Sequence, residues 1–409
     1  MQQPYLGKNI AILTAGGDTT ALNNTIVAAR YSAQKLGAKV YGIMDGYYGI
    51  IHEPDSALRD LNSVHIDGKV GGTILGSRRT PKQNGNPCNT VANYLRDKGV
   101  DALIVIGGDG SSAIAQAIYE RHEFPVLVIP KTVDNDLKTD TLHRSSDKRI
   151  IAGLSPGYVT AADKVSTMVA ELQTSASSHK QLYIVETMGR DSGYMAAAAS
   201  HGGADMILLP EMGRPTIDEL VSKVDGAYRK VLSENGNHFM IAVAEGFSVQ
   251  GHVASQTKIG SYVAAIISDE LKRLGHNVDV KDEYIGRWTR SGSPHKYDFK
   301  LAELLGHHLE HVLRDAADSE GNLNINRFGK MAVLQEIVGY DHLEADKIRT
   351  ILIKDALAKN GSYGRIPSEY INPERYTGTE HLDNFLERLL ETKKLRHKAP
   401  ELPIVASAR

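Results

Sequence analysis

Asn9-Ile-Ala-Ile-Leu-Thr-Ala15 is a short apolar run that ends at the glycine pair Gly16-Gly17. This pattern is typical of a buried β-strand followed by a tight turn. A helical face comes next, and Gly37 stands where such a helix commonly ends. That face consists of Leu22, Ile26, Ala29, Ala33 and Leu36. The segment therefore predicts a strand, a helix and the start of a second strand.

Similar apolar runs recur along the first two-thirds of the chain and predict further buried strands. They are Lys39–Asp45, Ala102–Gly108, Pro125–Pro130, Leu182–Met188, Met206–Leu209 and Phe239–Ala244. Because these runs are continuously apolar, they favour parallel sheets with helices on both faces. We expect two Rossmann-like three-layer α/β/α domains with mostly parallel sheets, plus a C-terminal helical extension.

The C-terminal region carries another helical pattern, which ends in a basic cluster. Its apolar members are Leu382, Phe385, Leu386, Leu389 and Leu390, and its basic members are Lys393, Lys394, Arg396 and Lys398. The pattern predicts a docked helix, and a partner-binding helix is the alternative.

Overall charge excludes some classes of partner. The 47 basic and 49 acidic residues leave a net charge of −2, so no whole-protein field attracts nucleic acid or an anionic membrane. The single cysteine, Cys88, excludes an intramolecular disulfide, and the N-terminal residues lack a signal-peptide pattern. We expect a cytoplasmic protein that binds neither nucleic acid nor membranes.

Ligands of parallel sheets bind beyond the carboxyl ends of the strands, which directs attention to three loops. In the first loop, Thr14–Asn24, the glycines let backbone N–H groups approach an anion at a helix N-terminus, although such glycines also simply turn a chain. In the second loop, Ile106–Ser112, Asp109 is placed to hold Mg²⁺ against phosphate oxygens or to cap a helix.

The third loop, Pro130–Asp136, combines two carboxylates with Lys131 and Thr132. Phosphoryl transfer needs a carboxylate that accepts the proton of the attacking hydroxyl, a second that binds the metal, and a lysine that neutralises charge. Asp134 and Asp136 supply the two carboxylates. A solvated turn is the alternative interpretation of this loop.

In this order, the three loops resemble those of the phosphofructokinase family, and Lys131-Thr-Val-Asp-Asn-Asp136 is the most specific match. The resemblance continues through Gly71–Arg79, Glu186–Gly193, Ala244–Gly246 and Gly286–Pro294, and thus covers about residues 8–340. It implies Mg²⁺-dependent transfer of a phosphoryl group from ATP to the C1 hydroxyl of fructose 6-phosphate, which gives fructose 1,6-bisphosphate in glycolysis.

The resemblance also implies a role for each matching residue. Asp134 would be the general base, Asp109 and Asp136 would hold the metal, and Lys131, Thr132, Arg79 and Arg190 would contact the transferring group. The donor would be bound by Gly16, Gly17, Tyr47, Arg79, Gly108, Asp109, Gly110 and Ser111. The sugar phosphate would be bound by Thr132, Asp134, Asp136, Gln181, Met188, Gly189, Arg190, Glu245, Lys281, Arg287 and Arg290.

The residue pattern and the resemblance together indicate how the chain divides into domains. The polar and basic segment 139–152 is the expected crossing between domains. We expect a donor-binding domain from residues 1–148 and about 286–340, a sugar-phosphate domain from 149–285 and about 341–370, and a tail from 371–409. Family members are usually oligomeric, with the sugar site completed by a neighbouring subunit, so we expect a homodimer or homotetramer.

Two substrate choices stay open. Gly110 favours ATP because ATP users have glycine there, whereas Lys131, Thr19-Thr20-Ala21 and the segment 155–160 resemble pyrophosphate users. The acceptor is open because Gln181 and Lys281 replace usual arginines, Arg287 replaces a histidine or tyrosine, and Ser291 interrupts a glycine pair. We expect ATP and fructose 6-phosphate, with pyrophosphate or another sugar phosphate as alternatives.

The sequence disfavours two other function classes. A non-catalytic regulatory subunit usually loses the acidic residues, yet Asp109, Asp134 and Asp136 are all present. A dinucleotide dehydrogenase would need the spaced G-x-G-x-x-G pattern, which the first loop lacks.

Overall fold

A computed structural model describes residues 3–79, 87–137, 142–145, 148–151, 154–253, 256–334, 343, 345–357 and 366. The strands are β1 Asn9–Ala15, β2 Lys39–Ile43, β3 Leu58–Asp60, β4 Ala102–Gly107, β5 Val126–Pro130, β6 Leu142–Ser145, β7 Lys148–Ile151, β8 Leu182–Thr187, β9 Met206–Leu208, β10 Phe239–Ala244, β11 Val280–Ile285, β12 Lys330–Leu334 and β13 Ile348–Leu352.

The α-helices are α1 Leu22–Lys35, α2 Gly46–His52, α3 Pro87–Asp97, α4 Asp109–His122, α5 Tyr158–His179, α6 Tyr194–Ala197, α7 Ile217–Ser233, α8 Ile259–Arg273, α9 Lys296–Ala316 and α10 Ile353–Ala356. Short 3-10 helices occupy Ala198–Gly202, Pro210–Met212, Arg287–Arg290, Ile325–Arg327 and Ala345–Lys347. Among the described residues, no helix combines the length and the apolar character needed to cross a bilayer.

Contacts divide the chain into two compact units. Unit 1 comprises Met1–Thr160 and Arg290–Gly364. Unit 2 comprises Ala161–Thr289 and Arg365–Arg409, and of the latter range only Ile366 is described.

Unit 1 is built on a seven-stranded sheet in the order β13-β12-β5-β4-β1-β2-β3. Its central strands are parallel, and the strands β3 and β13 at its two edges run antiparallel to their neighbours. β1 is buried on both faces: Ala11 and Leu13 pack in a core with α3 and α4, while Ile10 and Ile12 are also fully buried. Continuous hydrophobicity in this strand is therefore the consequence of two covered faces.

Unit 2 contains a four-stranded parallel sheet in the order β11-β8-β10-β9. Ile184 and Ile241 from this sheet pack in one core with Val224 of α7 and Val263 of α8. α7 begins with a complete capping box between Thr216 and Glu219, in which each side chain accepts the other residue's backbone N–H.

The fold prediction of two mostly parallel α/β units is confirmed, and each strand predicted from an apolar run is present. β2 ends at Ile43, two residues before the predicted end, because Asp45 takes a left-handed conformation with φ 55° and turns the chain. The segment predicted to cross between domains contains the hairpin of β6 and β7. The predicted C-terminal helix lies outside the described residues.

Candidate active site

The ends of three parallel strands bring the three predicted loops together in unit 1. Ala15 at the end of β1 is in register with Gly107 of β4, and Gly107 is in register with Pro130 of β5. The loops that follow therefore leave the same edge of the sheet as neighbours. Helices α1 and α4 begin shortly after the first two strands, so their positive ends face this edge.

Two basic side chains hold the first loop. The Lys131 ammonium, only 2% exposed, donates to the backbone oxygen of Ala15 at 3.0 Å and also to that of Gly17. On another side of the loop, Arg290 Nη1 lies 3.4 Å from the Asp18 carboxylate and would be 2.9 Å from a Cβ at Gly17. Arg290, predicted as a ligand of the sugar phosphate, thus contacts the predicted donor loop in unit 1.

The second loop begins α4. Gly108 is the N-cap residue in an extended conformation, and Asp109 is the first helical residue. A Cβ on Gly107 would lie 2.5 Å from Ser111 Cβ, whereas a Cβ on Gly110 would meet no described residue within 4 Å. The loop is therefore tightly packed on its sheet side and open at Gly110.

The side chain of Tyr47 stabilises the second loop. The side chain is fully buried, and its hydroxyl donates to the backbone oxygen of Ser111 at 3.1 Å. Burial raises the pKa of Tyr47 well above its usual range, so the hydroxyl stays protonated. This contact indicates that Tyr47 positions Ser111, and it shows no direct role for Tyr47 in binding the donor.

In the third loop, Asp134 is half-buried and Asp136 is 3% exposed. The backbone N–H of Asp134 donates to Thr132 Oγ1 at 3.0 Å, which closes a small turn. Asn135, between the two aspartates, takes a left-handed conformation with φ 52°. The loop is thus a constrained turn that presents two carboxylates from positions two residues apart.

The donor set of these loops suits magnesium. Groups of three or more His, Cys, Asp or Glu side chains arranged for a metal are absent from the part of the chain that the structure describes. Mg²⁺ commonly takes one or two protein carboxylates and completes its shell with water and substrate phosphates. Asp109 and Asp136, on neighbouring loops, are a donor set of that kind.

Arg79 is exposed, and it forms no hydrogen bond or ion pair with another described residue. Its neighbour Arg78 instead contacts Asp45 at 3.5 Å and Glu53 at 3.3 Å. Two residues before Arg79, the hydroxyl of Ser77 donates to the backbone oxygen of Gly16 at 2.8 Å, so this segment lies beside the first loop. Contact of the Arg79 side chain itself with the donor stays a prediction.

In unit 2, the loops after β8 and β10 meet. Thr187 and Ala244 are in register at the ends of these strands. Glu245 Oε1 accepts hydrogen bonds from the backbone N–H of Gly189 at 3.2 Å and of Arg190 at 2.8 Å. Gly189 and Arg190 both have positive φ, 139° and 51°, so Glu245 stabilises a conformation that an ordinary loop would avoid.

The segment after β11 lies at the same edge of the sheet. Ile285 is in register with Thr187, and the buried hydroxyl of Thr289 lies 3.9 Å from the sulfur of Met188. Arg287 is exposed in the 3-10 helix that contains Thr289. The structure therefore brings together Met188, Gly189, Arg190, Glu245 and Arg287 around one end of the unit 2 sheet.

Gln181 and Lys281 lie at the opposite end of that sheet. Gln181 precedes β8, Lys281 is the second residue of β11, and both contact Asp279, at 2.7 and 3.0 Å. The hydrogen bond from Lys281, followed by that from Gln181, lowers the pKa of Asp279. At about 3.3 Å per residue, the six residues of β8 separate this end from Met188 by about 20 Å.

Sequence reasoning missed the groups that support these loops. Ser155 donates its backbone N–H to Asn135 Oδ1 at 3.2 Å, and Asp298 is buried against Thr160. Asp298 carried no signal of its own, because an aspartate in the first turn of a helix is commonplace.

Comparison with known proteins places these features in context. A family model described as Phosphofructokinase matches residues 9–313. An ATP-dependent 6-phosphofructokinase of Staphylococcus carnosus is 34% identical over 317 residues, which are 77% of this chain and 88% of that protein. One of Erwinia tasmaniensis, with the same description, is 34% identical over 301 residues, 73% of this chain and 83% of that one.

Solved structures agree on the fold. A pyrophosphate-dependent phosphofructokinase from Nitrosospira multiformis superimposes with a TM-score of 0.68 at 17% identity, covering 92% of this chain and 91% of that one. Another from Marinobacter aquaeolei gives 0.65 at 20% identity, covering 92% and 91%. At such identities the likeness concerns the fold alone.

Proposed function

Because the chain belongs to the phosphofructokinase family, we propose that it transfers the γ-phosphoryl group of ATP to the C1 hydroxyl of fructose 6-phosphate, giving ADP and fructose 1,6-bisphosphate. The main observation behind this proposal is the register of Ala15, Gly107 and Pro130. It supports placing the first and second loops, which suit phosphate, beside the third loop with its two aspartates, at one edge of the sheet. That is the combination that phosphoryl transfer requires.

Each loop supplies a separate part of the chemistry. Asp134 accepts the proton of the C1 hydroxyl. The C1 oxygen attacks the γ-phosphorus in line, and the bond between this phosphorus and the departing ADP breaks. Asp109 and Asp136 would hold Mg²⁺, which when bound supplies positive charge to the phosphate oxygens. The positive end of α4 and the backbone N–H groups after Gly16 favour the anionic donor. Thr132, Arg79 and Arg190 contact the transferring group.

ATP is the proposed donor for two reasons. Open space at Gly110 leaves room for a nucleotide, and the relatives at 34% identity are described as ATP-dependent. The structural neighbours described as pyrophosphate-dependent are only 17% and 20% identical, which is too distant to assign a donor. Pyrophosphate remains the alternative that the assay below tests.

For the acceptor, we propose that Met188, Gly189, Arg190, Glu245 and Arg287 bind the sugar phosphate.

Gln181 and Lys281 lie about 20 Å from Met188 along β8, too far to reach the same small molecule within one chain. We therefore propose a homodimer or homotetramer in which these two residues serve a neighbouring subunit's site. Light scattering after size exclusion measures this, and a monomer that keeps full activity would contradict it. A cytoplasmic location also stays a prediction.

The test is a coupled assay of the purified chain with Mg²⁺, using ATP and pyrophosphate as donors and a panel of sugar phosphates as acceptors. We expect turnover with ATP and fructose 6-phosphate. Activity with pyrophosphate alone would overturn the donor, and a preference for another sugar phosphate would overturn the acceptor. No turnover under any condition would favour a regulatory subunit, which should still bind the sugar phosphate.

A further inference from the structure

A buried carboxylate outside the three loops holds the segment that leads into α5. Asp298, in the first turn of α9, is fully buried and accepts hydrogen bonds from the backbone N–H of Thr160 at 2.7 Å and from its hydroxyl at 2.5 Å. Both bonds are made to Oδ2, whereas Oδ1 has no hydrogen-bond partner among the described residues. The nearby backbone N–H groups of Gly157 and Val159 act to lower the pKa of this carboxyl. Since α5 begins at Tyr158, Asp298 caps the positive end of this helix.

Burial disfavours the charged form of the Asp298 carboxyl. It raises the pKa of Asp298 to about 6, although the hydrogen bonds from Thr160 act in the opposite direction. A buried carboxylate needs hydrogen-bond donors, and Thr160 supplies two of them to Oδ2. Asp298 therefore holds the backbone at Thr160, and with it the start of α5.

This segment also braces the first loop. Gly157 has φ 108°, and a Cβ there would lie 2.6 Å from Thr19 Cβ, so only glycine fits. Thr19 is 1% exposed and lies two residues after Gly17 in the predicted donor loop. Any displacement of residues 157–160 would press on that loop or leave a gap beside it.

The same segment braces the third loop. The backbone N–H of Ser155 donates to Asn135 Oδ1 at 3.2 Å. Asn135 is left-handed and separates Asp134 from Asp136, so its conformation determines where the two carboxylates point. Ser155 and Gly157 thus connect Asp298 with both loops.

We propose that Asp298 is a positioning residue of phosphoryl transfer, which acts through residues 155–160 on Thr19 in the donor loop and on Asn135 between the two site aspartates. This inference rests on the proposed function, because it concerns the geometry of the same reaction. Asp298 is fully buried, so its effect is on the alignment of the reacting groups rather than on binding.

The first test is Asp298→Asn, which keeps the shape but replaces one acceptor oxygen by a donor. We expect kcat with ATP to fall about 10- to 100-fold while both KM values change less than about threefold, since a shift of about 1 Å in reacting groups costs up to about 100-fold in rate.

Asp205→Asn is the matched control. Asp205 is a half-buried acid in unit 2 whose pKa is also raised to about 6, by burial, and it accepts the backbone N–H of Met240 at 2.8 Å. It should lose thermal stability but keep kcat.

A second pair of variants decides the matter if Asp298→Asn does not fold. Thr160→Val removes the hydroxyl, which donates to Asp298 and also accepts the backbone N–H of His295 at 3.0 Å, and Thr160→Ser keeps it. We expect kcat to fall for valine and to stay within about threefold of wild type for serine, because only the serine variant retains these two hydrogen bonds.

The inference is overturned if folded Asp298→Asn keeps wild-type kcat, if it loses no more kcat than Asp205→Asn, or if the valine and serine variants behave alike. These outcomes require an active wild-type enzyme. A wild-type chain that is inactive with ATP and with pyrophosphate removes the proposed function first, and this inference with it.

Discussion

Replacing Glu245 by alanine removes the carboxylate that holds Gly189 and Arg190 in their positive-φ conformation. A hydrogen bond to a charged group is worth about 1.5–3 kcal/mol, so two of them contribute about 3 kcal/mol or more. A left-handed residue such as Arg190 costs about 1–3 kcal/mol, which the lost bonds no longer offset. The loop should therefore leave the conformation that binds the acceptor.

A loss of about 3 kcal/mol reduces the binding-competent population by about 100-fold, so KM for fructose 6-phosphate should rise by up to that factor. Glu245→Gln keeps a neutral acceptor at the same position and should raise KM only about 5- to 10-fold, because a neutral bond is worth about 1 kcal/mol. KM for ATP should be unchanged in both, since the predicted donor loops belong to unit 1. The assay is steady-state kinetics with each substrate varied at saturation of the other.

Hydrogen exchange separates loop support from direct contact with the sugar. The amides of Gly189 and Arg190 should exchange faster in Glu245→Ala without any ligand. Glu219→Gln, in the capping box of α7, is the control, because Glu219 also accepts a backbone N–H in unit 2 but lies outside this loop. Unchanged exchange of both amides, or an equal rise in the two KM values, would refute the reasoning.

Three further outcomes are expected. Asp134→Asn should abolish turnover while calorimetry still detects sugar-phosphate binding; an unchanged rate would remove Asp134 from the mechanism. Gly110→Asp should keep the melting temperature, since a Cβ there meets nothing within 4 Å in the described part of the chain. The new carboxylate should raise KM for ATP more than about 10-fold through charge repulsion, and an unaltered KM would contradict a donor at Gly110. The raised pKa of Asp298, about 6, means that its folded form binds a proton more tightly than its unfolded form, so stability is lost as pH rises towards 6. The free energy of unfolding of wild type relative to Asp298→Asn should therefore fall by about 1.4 kcal/mol between pH 5 and pH 7, and a constant difference would contradict the shift.

The apolar runs predicted the central strands, which are buried on both faces, whereas β11 and β12 were missed for different reasons. β11 reads Val-Lys-Asp-Glu-Tyr-Ile, and four of its residues are exposed at the edge of the sheet, so no apolar run marks it. β12 is different: Met331–Leu334 is buried and apolar, so the signal was present in the sequence. Position in the sheet does not decide which strands are predicted, because β9 also lies at an edge and was predicted from its three buried apolar residues. An apolar run predicts a strand wherever its side chains are buried.

For the candidate site, the sequence indicated which loops to examine but not their internal contacts. Glycines and aspartates after strands signal phosphate chemistry, and the register of β1, β4 and β5 follows from a parallel sheet. Contacts between distant positions leave no local pattern. The hydrogen bond from Ser155 to Asn135, and that from Thr160 to Asp298 across more than a hundred residues, are of this kind.

The contacts of Lys131 affect the choice between ATP and pyrophosphate as the donor. Lys131 was grouped with pyrophosphate users because of its residue type, yet its ammonium is 2% exposed and donates to the backbone oxygens of Ala15 and Gly17. A lysine bonded in this way shapes the first loop whichever donor is bound, so its presence does not require the shorter one. Gly110 is more informative, because the open space beside it is a condition that ATP needs and pyrophosphate does not. The choice between the donors therefore depends on Gly110 rather than on Lys131.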